Sequence, residues 1–222
     1  MKSKRFIFLA LSALILLFCA SCSRGEPPEP NRATLDQSRT HFAAFQKDIG
    51  QILDTHSVAY AVEATSSDDM PGAKPDAYSL TLRYELKTPG KETFSVTLFN
   101  TERTERFIAV LQADRASVKD CDFTMGRYPF LLDVFNLLSD TSTSKFECNR
   151  LMRSTRRGAA ALYERQGEAF YTYKFKYLFK GDEDRYLSYD IQYQNSKQPG
   201  YFTETLTFEG YLSARKADNT GN

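Results

Sequence analysis

Residues Ala169–Lys180, AFYTYKFKYLFK, constrain the fold of this 222-residue chain more than any other stretch. Because the side chains of a β-strand alternate between two faces, the stretch predicts a strand with rings on one face and mainly lysines on the other. Such a strand is expected in an antiparallel sheet with one buried and one solvated face. The aromatic residues, at every second position, are Tyr171, Tyr173, Phe175, Tyr177 and Phe179.

The surface that these five rings face decides the function. Together they can remove on the order of 1,000 Å² from water. One interpretation is that they pack against a solid core. The other is that they line a ligand cavity, in which the hydroxyls of Tyr171, Tyr173 and Tyr177 supply polar groups. The sequence leaves both interpretations open.

Composition favours a β-rich domain and argues against nucleic-acid binding. The chain has 13 Tyr, 17 Phe and no Trp, and its formal net charge is +1. Removal of an N-terminal segment containing Lys2, Lys4 and Arg5 would bring that charge to −2. No basic excess and no motif spacing typical of nucleic-acid binding is present.

Residues 1–21 have the pattern of a signal peptide. A basic start precedes the apolar run Phe6–Phe18, which is too short for a comfortable membrane span. The run ends in FCASCS, where small Ala20 and Ser21 precede Cys22. This ending resembles the lipobox of bacterial lipoproteins, although Cys19 stands where Leu is usual. The alternatives are an ordinary signal peptide cut at the same place and an uncleaved anchor.

The resemblance implies that Cys22 carries several acyl chains, which together anchor a protein stably in a lipid bilayer. Ser23 follows it, where an Asp would favour retention in the inner membrane of a Gram-negative cell. We therefore expect an exported protein anchored in the cell envelope, at the outer membrane. Residues 22–33 contain Pro27, Pro28 and Pro30 and predict a semi-rigid tether.

Beyond the tether, the pattern predicts one β-rich domain over residues 34–213 and a frayed tail over 214–222. Thr34 and Gln37 form a predicted capping box, and apolar residues then recur at helical spacing as far as Leu53. A second helix is predicted at Phe130–Leu138. Strands are predicted at Val58–Ala64, Tyr78–Leu86, Glu92–Asn100, Arg106–Ala113, Ser117–Phe123, Lys145–Met152, Ala159–Arg165, the aromatic stretch, Arg185–Gln194 and Tyr201–Leu212.

The predicted mid-chain helix, FLLDVFNLL, is apolar on nearly every side. A helix of that kind is buried on more than one face or plugs an apolar opening. It is therefore either an interior helix or a wall or lid of the cavity. In the second case Phe130, Leu131 and Val134 join the five aromatic residues as candidate ligand contacts.

Cys121 and Cys148 are predicted on strands either side of this helix. In an exported protein they are expected to form a disulfide, which would close a 28-residue loop. The alternative is two unpaired buried thiols.

Sequence patterns of catalysis and of metal binding are missing. There is no Gly-x-Ser-x-Gly, His-Glu-x-x-His, P-loop or dinucleotide motif. The two histidines, His41 and His56, have no partner at ligand spacing, and the acidic residues 182–184 fall in a predicted turn. We expect neither an enzyme nor a cofactor or metal.

The predicted fold is mainly β with two helices (α+β), a curved antiparallel sheet or incomplete β-barrel covered by both. The order of elements resembles the LolA/LolB-like carriers of bacterial lipoproteins, in which a curved sheet wraps an apolar cavity. The resemblance implies a carrier of acyl chains, lipid or lipoprotein. The rival hypotheses are a structural or surface-interaction lipoprotein with a filled core and, behind it, an envelope enzyme.

Overall fold

A computed structural model describes residues 31–69, 76–88, 90–139, 143–179, 182–196 and 199–213, without the side chains of 182–184. The predicted signal peptide, Cys22, most of the tether and the tail 214–222 lie outside these residues. The elements are α1 (Leu35–Thr55), β1 (Tyr60–Ser66), β2 (Tyr78–Leu86), β3 (Thr93–Thr101), β4 (Thr104–Arg115), α2 (Phe130–Ser139), α3 (Lys145–Gln166), β5 (Thr172–Phe179), β6 (Asp182–Gln194) and β7 (Tyr201–Tyr211).

The described strands form one open antiparallel sheet in the order β1-β2-β3-β4-β7-β6-β5. The final strand, β7, lies between β4 and β6, so the two halves of the chain meet at the centre of the sheet. The strands β1 and β5 are its edges. This architecture confirms the predicted class, a mainly β fold with helices on an unclosed sheet.

Helix α1 begins at the predicted capping box. The backbone N–H of Gln37 donates to Thr34 Oγ1 at 3.3 Å, and the N–H of Thr34 donates to Gln37 Oε1 at 2.8 Å. Its buried face includes Phe42, whose ring stacks on that of Tyr78 of β2 at 5.5 Å. The helix therefore lies on the sheet, as its amphipathic pattern predicts.

The end of the predicted tether is bound to the sheet. The N–H of Ala33 donates to the carbonyl of Arg103 at 2.9 Å, beside the turn between β3 and β4. The fully buried Glu105 accepts hydrogen bonds from the side chains of Asn31 and Ser38. Residues 31–33 thus belong to the folded part of the chain.

Helix α2 is an interior helix. Its residues Phe130, Leu131, Val134 and Phe135 are buried. The ring of Phe135 lies 4.3 Å from that of Phe208 on β7. The helix packs against both α1 and the sheet, so the interpretation as part of a filled core is the correct one for α2.

Helix α3 replaces two predicted strands. The predictions of strands at Lys145–Met152 and Ala159–Arg165 are wrong, because the whole segment is one helix. Its N-cap is Ser144, whose hydroxyl accepts from the N–H of Glu147. The buried residues recur at helical spacing: Cys148, Leu151, Met152, Thr155 and Ala159. The strand predicted at Ser117–Phe123 is also wrong, since a short 3-10 turn occupies Val118–Asp120.

The aromatic stretch forms an edge strand and lies outside the centre of the core. Strand β5 pairs with β6 alone, and α3 covers only part of its aromatic face. Tyr171, just before the strand, is 68 % exposed and Phe175 is 46 % exposed, whereas Tyr173, Tyr177 and Phe179 are half-buried. The prediction that all five rings face a buried surface is therefore wrong for Tyr171 and Phe175.

Candidate functional site: a cavity between helix α3 and strand β5

A cavity of about 290 Å³ lies between the N-terminal half of α3 and the sheet edge formed by β5 and β6. Ligand sites in proteins commonly range over about 300–1,000 Å³, so this cavity has the size of a small ligand site. The sheet contributes an apolar wall of aromatic and aliphatic side chains. These side chains are Phe175, Tyr177, Phe179 and Leu187.

The periodicity of α3 places the opposite wall. Glu147, Leu151 and Ser154 recur at intervals of four and three residues, and they line the cavity together with Cys148, Arg150 and Thr143, which precedes the helix. Residues at this spacing share one face of a helix. Leu151 and Cys148 are buried, while Glu147, Arg150 and Ser154 are exposed and mark the side open to solvent.

The polar groups of the cavity are few. Thr143 Oγ1 is buried and has no hydrogen-bond partner in the described part of the chain. Glu147 and Arg150 supply one negative and one positive charge at the mouth. A mostly apolar wall with a small number of polar groups is the usual composition of a site for an apolar or amphiphilic molecule.

The cavity contains three of the predicted ligand contacts. Phe175, Tyr177 and Phe179 line it, as the cavity interpretation of the aromatic stretch requires. Tyr171 and Tyr173 do not line it. The ring of Tyr173 instead covers Gly158 of α3.

The predicted contacts on α2 are elsewhere in the molecule. Phe130, Leu131 and Val134 are buried in the core and do not line this cavity, so α2 is neither its wall nor its lid. The correction follows from α3, which occupies the place expected for α2. Two other residues of α2 contact the lining of the cavity: the ring of Phe135 lies 5.4 Å from that of Phe179, and Asn136 Oδ1 accepts a hydrogen bond from the N–H of Thr143 at 3.4 Å.

Sequence reasoning missed the contribution of α3. Leu151, Cys148 and Leu187 line the cavity but were not candidate ligand contacts. The signal was present in the Ser144 N-cap, in Glu147 three residues later and in the 3.6-residue spacing of the apolar residues that follow. The segment's six basic residues obscured that spacing.

The two cysteines have different surroundings. Cys148 lines the cavity, whereas Cys121 lies near Glu204 and Arg115, whose charges affect its pKa. Both are free buried thiols, so the expected disulfide is not formed in this structure. Cys148 is on α3 and Cys121 directly follows a 3-10 turn, so neither is on the strand predicted for it. Burial raises the pKa of Cys121 to about 12 and that of Cys148 to about 11.

A buried ionic cluster holds the sheet to the segment before α2. Arg115 Nε donates to Glu204 Oε2 at 3.0 Å, and Arg115 Nη2 donates to Glu92 Oε1 at 3.3 Å and to Asp122 Oδ1 at 3.1 Å. The N–H of Phe123 donates to Glu204 Oε1 at 2.7 Å. The cluster thus connects the ends of β4 and β7 with residues 122–123.

The same cluster positions α3. Arg156 Nη1 of α3 donates to the carbonyl of Phe123 at 2.8 Å. Burial raises the pKa of Glu204, although its hydrogen bonds from Tyr189, Phe123 and Arg115 act in the opposite direction. The pKa of Glu92 is below its ordinary value, because hydrogen bonds led by that of the Tyr128 hydroxyl outweigh the opposing effect of burial. We interpret the cluster as structural support for the cavity.

A second, wider groove of about 710 Å³ lies at the other end of α3. It is lined by Tyr163, Tyr193 and Phe202, whose rings contact one another, and by polar residues that include Glu164 and Lys119. It contains none of the predicted ligand contacts. The cavity beside β5 is therefore the better candidate site for an apolar ligand.

The described part of the chain contains no group of three or more metal-ligating His, Cys, Asp or Glu side chains. Its two histidines each contact one carboxylate: His41 Nδ1 lies 3.2 Å from Glu105, and His56 Nε2 lies 2.6 Å from Asp133. Among the described helices, none is long and apolar enough to cross a membrane.

Comparison with known proteins identifies no family, because no protein-family model, no curated protein and no solved structure matches this chain. The fold and the cavity therefore carry the functional argument alone.

Proposed function

We propose that this protein is a membrane-anchored lipoprotein of the cell envelope that binds an apolar ligand in the cavity between α3 and β5. The observation that supports this proposal is the cavity itself. It has a ligand-like volume of about 290 Å³, and its sheet wall is formed by Phe175, Tyr177, Phe179 and Leu187. A solid core would leave no such space behind the aromatic stretch.

The size of the cavity limits the ligand. A volume at the lower end of the range for ligand sites suits one acyl chain better than a whole lipid. An acyl chain is a uniform apolar segment, so it needs shape and apolar surface more than directed hydrogen bonds. The proposed ligand is therefore an acyl chain of a fatty acid, a lipid or a lipoprotein, with its polar end at the mouth beside Glu147 and Arg150.

The proposed anchor is the acylated Cys22, which would hold the domain at a lipid bilayer through the Pro-rich segment that follows. Export to the cell envelope, with the outer membrane as the site of anchoring, is part of the same proposal. It depends on the lipobox-like ending FCASCS.

The second candidate is a structural or surface-interaction lipoprotein without a ligand. The solid packing of α2 favours it, since Phe130, Leu131 and Val134 fill the centre of the domain. The two candidate functions differ in one respect, which is whether the space beside β5 holds a ligand.

Native mass spectrometry of the purified full-length protein tests the proposal. We expect an adduct with the mass of a fatty acid or lipid that is present under native conditions and lost under denaturing conditions. The covalent chains on Cys22 persist under both conditions and serve as an internal reference. A protein that carries no such adduct, and that takes none up when fatty acid is added, would favour the structural candidate.

A further inference from the structure

Exposed apolar side chains are concentrated around α3 and β5. Five large apolar side chains are exposed in the described part of the chain, and four of them lie on these two elements or on the residue before β5. Large exposed apolar side chains in one region usually mark a contact surface. The four are Phe146, Tyr171, Phe175 and Leu178.

Helix α3, in the same region, is strongly basic. Helix α3 has six basic and two acidic side chains, a net charge of +4 in a chain whose formal total is +1. Four exposed residues of α3 follow one another at intervals of four, three and four residues: Phe146, Arg150, Arg153 and Arg157. That spacing places them in one line along the helix, which we name the basic stripe.

The three arginines of the basic stripe are available for a partner. None of them forms an ion pair with another residue in the described ranges. On the neighbouring edge strand, Lys174 is exposed as well. Glu164 lies beyond Arg157 on the same line, so the run of positive charge along this line ends at Arg157.

We propose that the basic stripe is a second membrane contact, which docks α3 on a bilayer surface that contains anionic lipid. Helices that lie at a membrane interface combine Lys or Arg side chains with apolar side chains that enter the acyl region. Phe146, which is 75 % exposed, is the apolar side chain at the end of the stripe. The charge complementarity is with the phosphate groups of the lipid, which attract Lys and Arg near the surface.

This contact has a geometric consequence for the cavity. Arg150 belongs to the basic stripe and also lines the mouth of the cavity. Docking of the stripe on a bilayer therefore turns that mouth toward the lipid. The docking itself depends neither on a ligand in the cavity nor on acylation of Cys22.

The chain has no tryptophan, so a single introduced tryptophan is a clean reporter. The test compares the full-length Phe146→Trp protein with the full-length Val62→Trp protein. Val62 is 48 % exposed and lies on β1, at the opposite edge of the sheet. Each protein is mixed with phosphatidylcholine vesicles, with or without phosphatidylglycerol, in which the acyl chains are brominated and quench nearby tryptophan.

We expect quenching and a shift of emission to shorter wavelength for Phe146→Trp on vesicles with phosphatidylglycerol, and little change on phosphatidylcholine alone. The effect should weaken at high salt, because ions screen exposed charges. The Val62→Trp protein, which has the same N-terminus and tether, should respond to neither vesicle. Equal quenching in the two proteins, or quenching independent of lipid charge, would overturn the proposal.

Charge variants complete the test. Replacing Arg150, Arg153 and Arg157 with Gln in the Phe146→Trp protein should reduce the affinity of the stripe for anionic vesicles on the order of 100-fold. The matched control replaces three exposed basic residues elsewhere, Lys87, Arg103 and Lys119, and should change nothing. A response of the Phe146→Trp protein to a DNA oligonucleotide but not to anionic vesicles would assign the stripe to nucleic acid and overturn the proposal.

Discussion

The ring of Tyr173 on β5 lies directly over Gly158 of α3, so close that a Cβ atom at Gly158 would come within 2.3 Å of the tyrosine Cζ. A glycine inside a helix normally costs stability, and here it allows the helix to approach the edge strand. The contact between Tyr173 and Gly158 lies at one end of the α3–β5 interface, and the cavity lies at the other end. It therefore sets how closely α3 lies on β5.

A double-mutant cycle tests this relationship. Gly158→Ala in the wild-type background should destabilise the protein by about 1–3 kcal/mol through overpacking. In the Tyr173→Ala background the same change should stabilise it by about 0.5–1 kcal/mol, because alanine is the better helix former. Urea denaturation of the four proteins measures both values. Equal effects of Gly158→Ala in the two backgrounds would show that the ring does not limit the approach of the helix.

The buried ionic cluster gives a second prediction. Arg115→Met should destabilise the protein by about 3–5 kcal/mol, since it leaves Glu204 buried without its cation and Glu92 buried with Arg127 alone, 3.6 Å away. The control is Arg83→Met, because Arg83 is exposed and forms no ion pair with a described residue. A loss no larger than that of the control would contradict the structural role of the cluster.

The loss caused by Arg115→Met should also depend on pH. Burial raises the pKa of Glu204, so the native state binds a proton more readily than the unfolded state does, and stability falls as pH rises through that raised pKa. Without Arg115 this effect should become larger, because the attraction that opposes burial is lost. The difference between wild type and Arg115→Met should therefore shrink as the pH is lowered from 7 toward the ordinary pKa of a Glu, about 4.3.

Much of this fold is predictable from local patterns. The hairpin of Tyr78–Leu86 and its return strand, the capping box at Thr34 and the interior helix at Phe130 each have a strong signal within ten residues. Helix α3 was missed because its apolar face is narrow. Thr155 and Ala159 occupy buried positions that are usually held by larger residues, and arginines stand between them.

The candidate site was predictable only in part. The alternation of Phe175, Tyr177 and Phe179 identifies one wall, because period 2 fixes which side chains share a face. The other wall depends on whether α2 or α3 packs against that face. Sequence periodicity does not predict this, because it is set by tertiary packing. The edge position of β5 is likewise set by long-range pairing of β7 with β4 and β6.

The cysteines give a third prediction. Cys121 and Cys148 should both be alkylated only after unfolding, since both are buried and burial raises their pKa values to about 12 and about 11. Peptide mapping of the non-reduced protein, alkylated before and after denaturation, measures this. A peptide that joins Cys121 to Cys148 would instead establish the disulfide that the export signal favours.

The proposed anchor gives a fourth prediction. Cys22→Ser should remove the acyl chains and so release a large share of the protein from membranes, while the matched change Cys19→Ser should leave it anchored. Fractionation of cells followed by high-salt washing of the membranes measures both, because the salt removes any contact made by the basic stripe alone. A Cys22→Ser protein that stays with the washed membranes would contradict the lipobox interpretation.

The central claim, that the cavity between α3 and β5 holds an apolar ligand, is tested most directly by filling it. Ser154 lines the cavity and is exposed, so Ser154→Phe places a ring in the cavity without disturbing the core. Ala161→Phe is the matched control, an exposed position on the same helix that does not line the cavity. The measurement is equilibrium binding of a fluorescent fatty acid to the three proteins. We expect binding by wild type and Ala161→Phe and its loss in Ser154→Phe with unchanged stability. Absence of binding by wild type, or equal binding by all three, would contradict the claim.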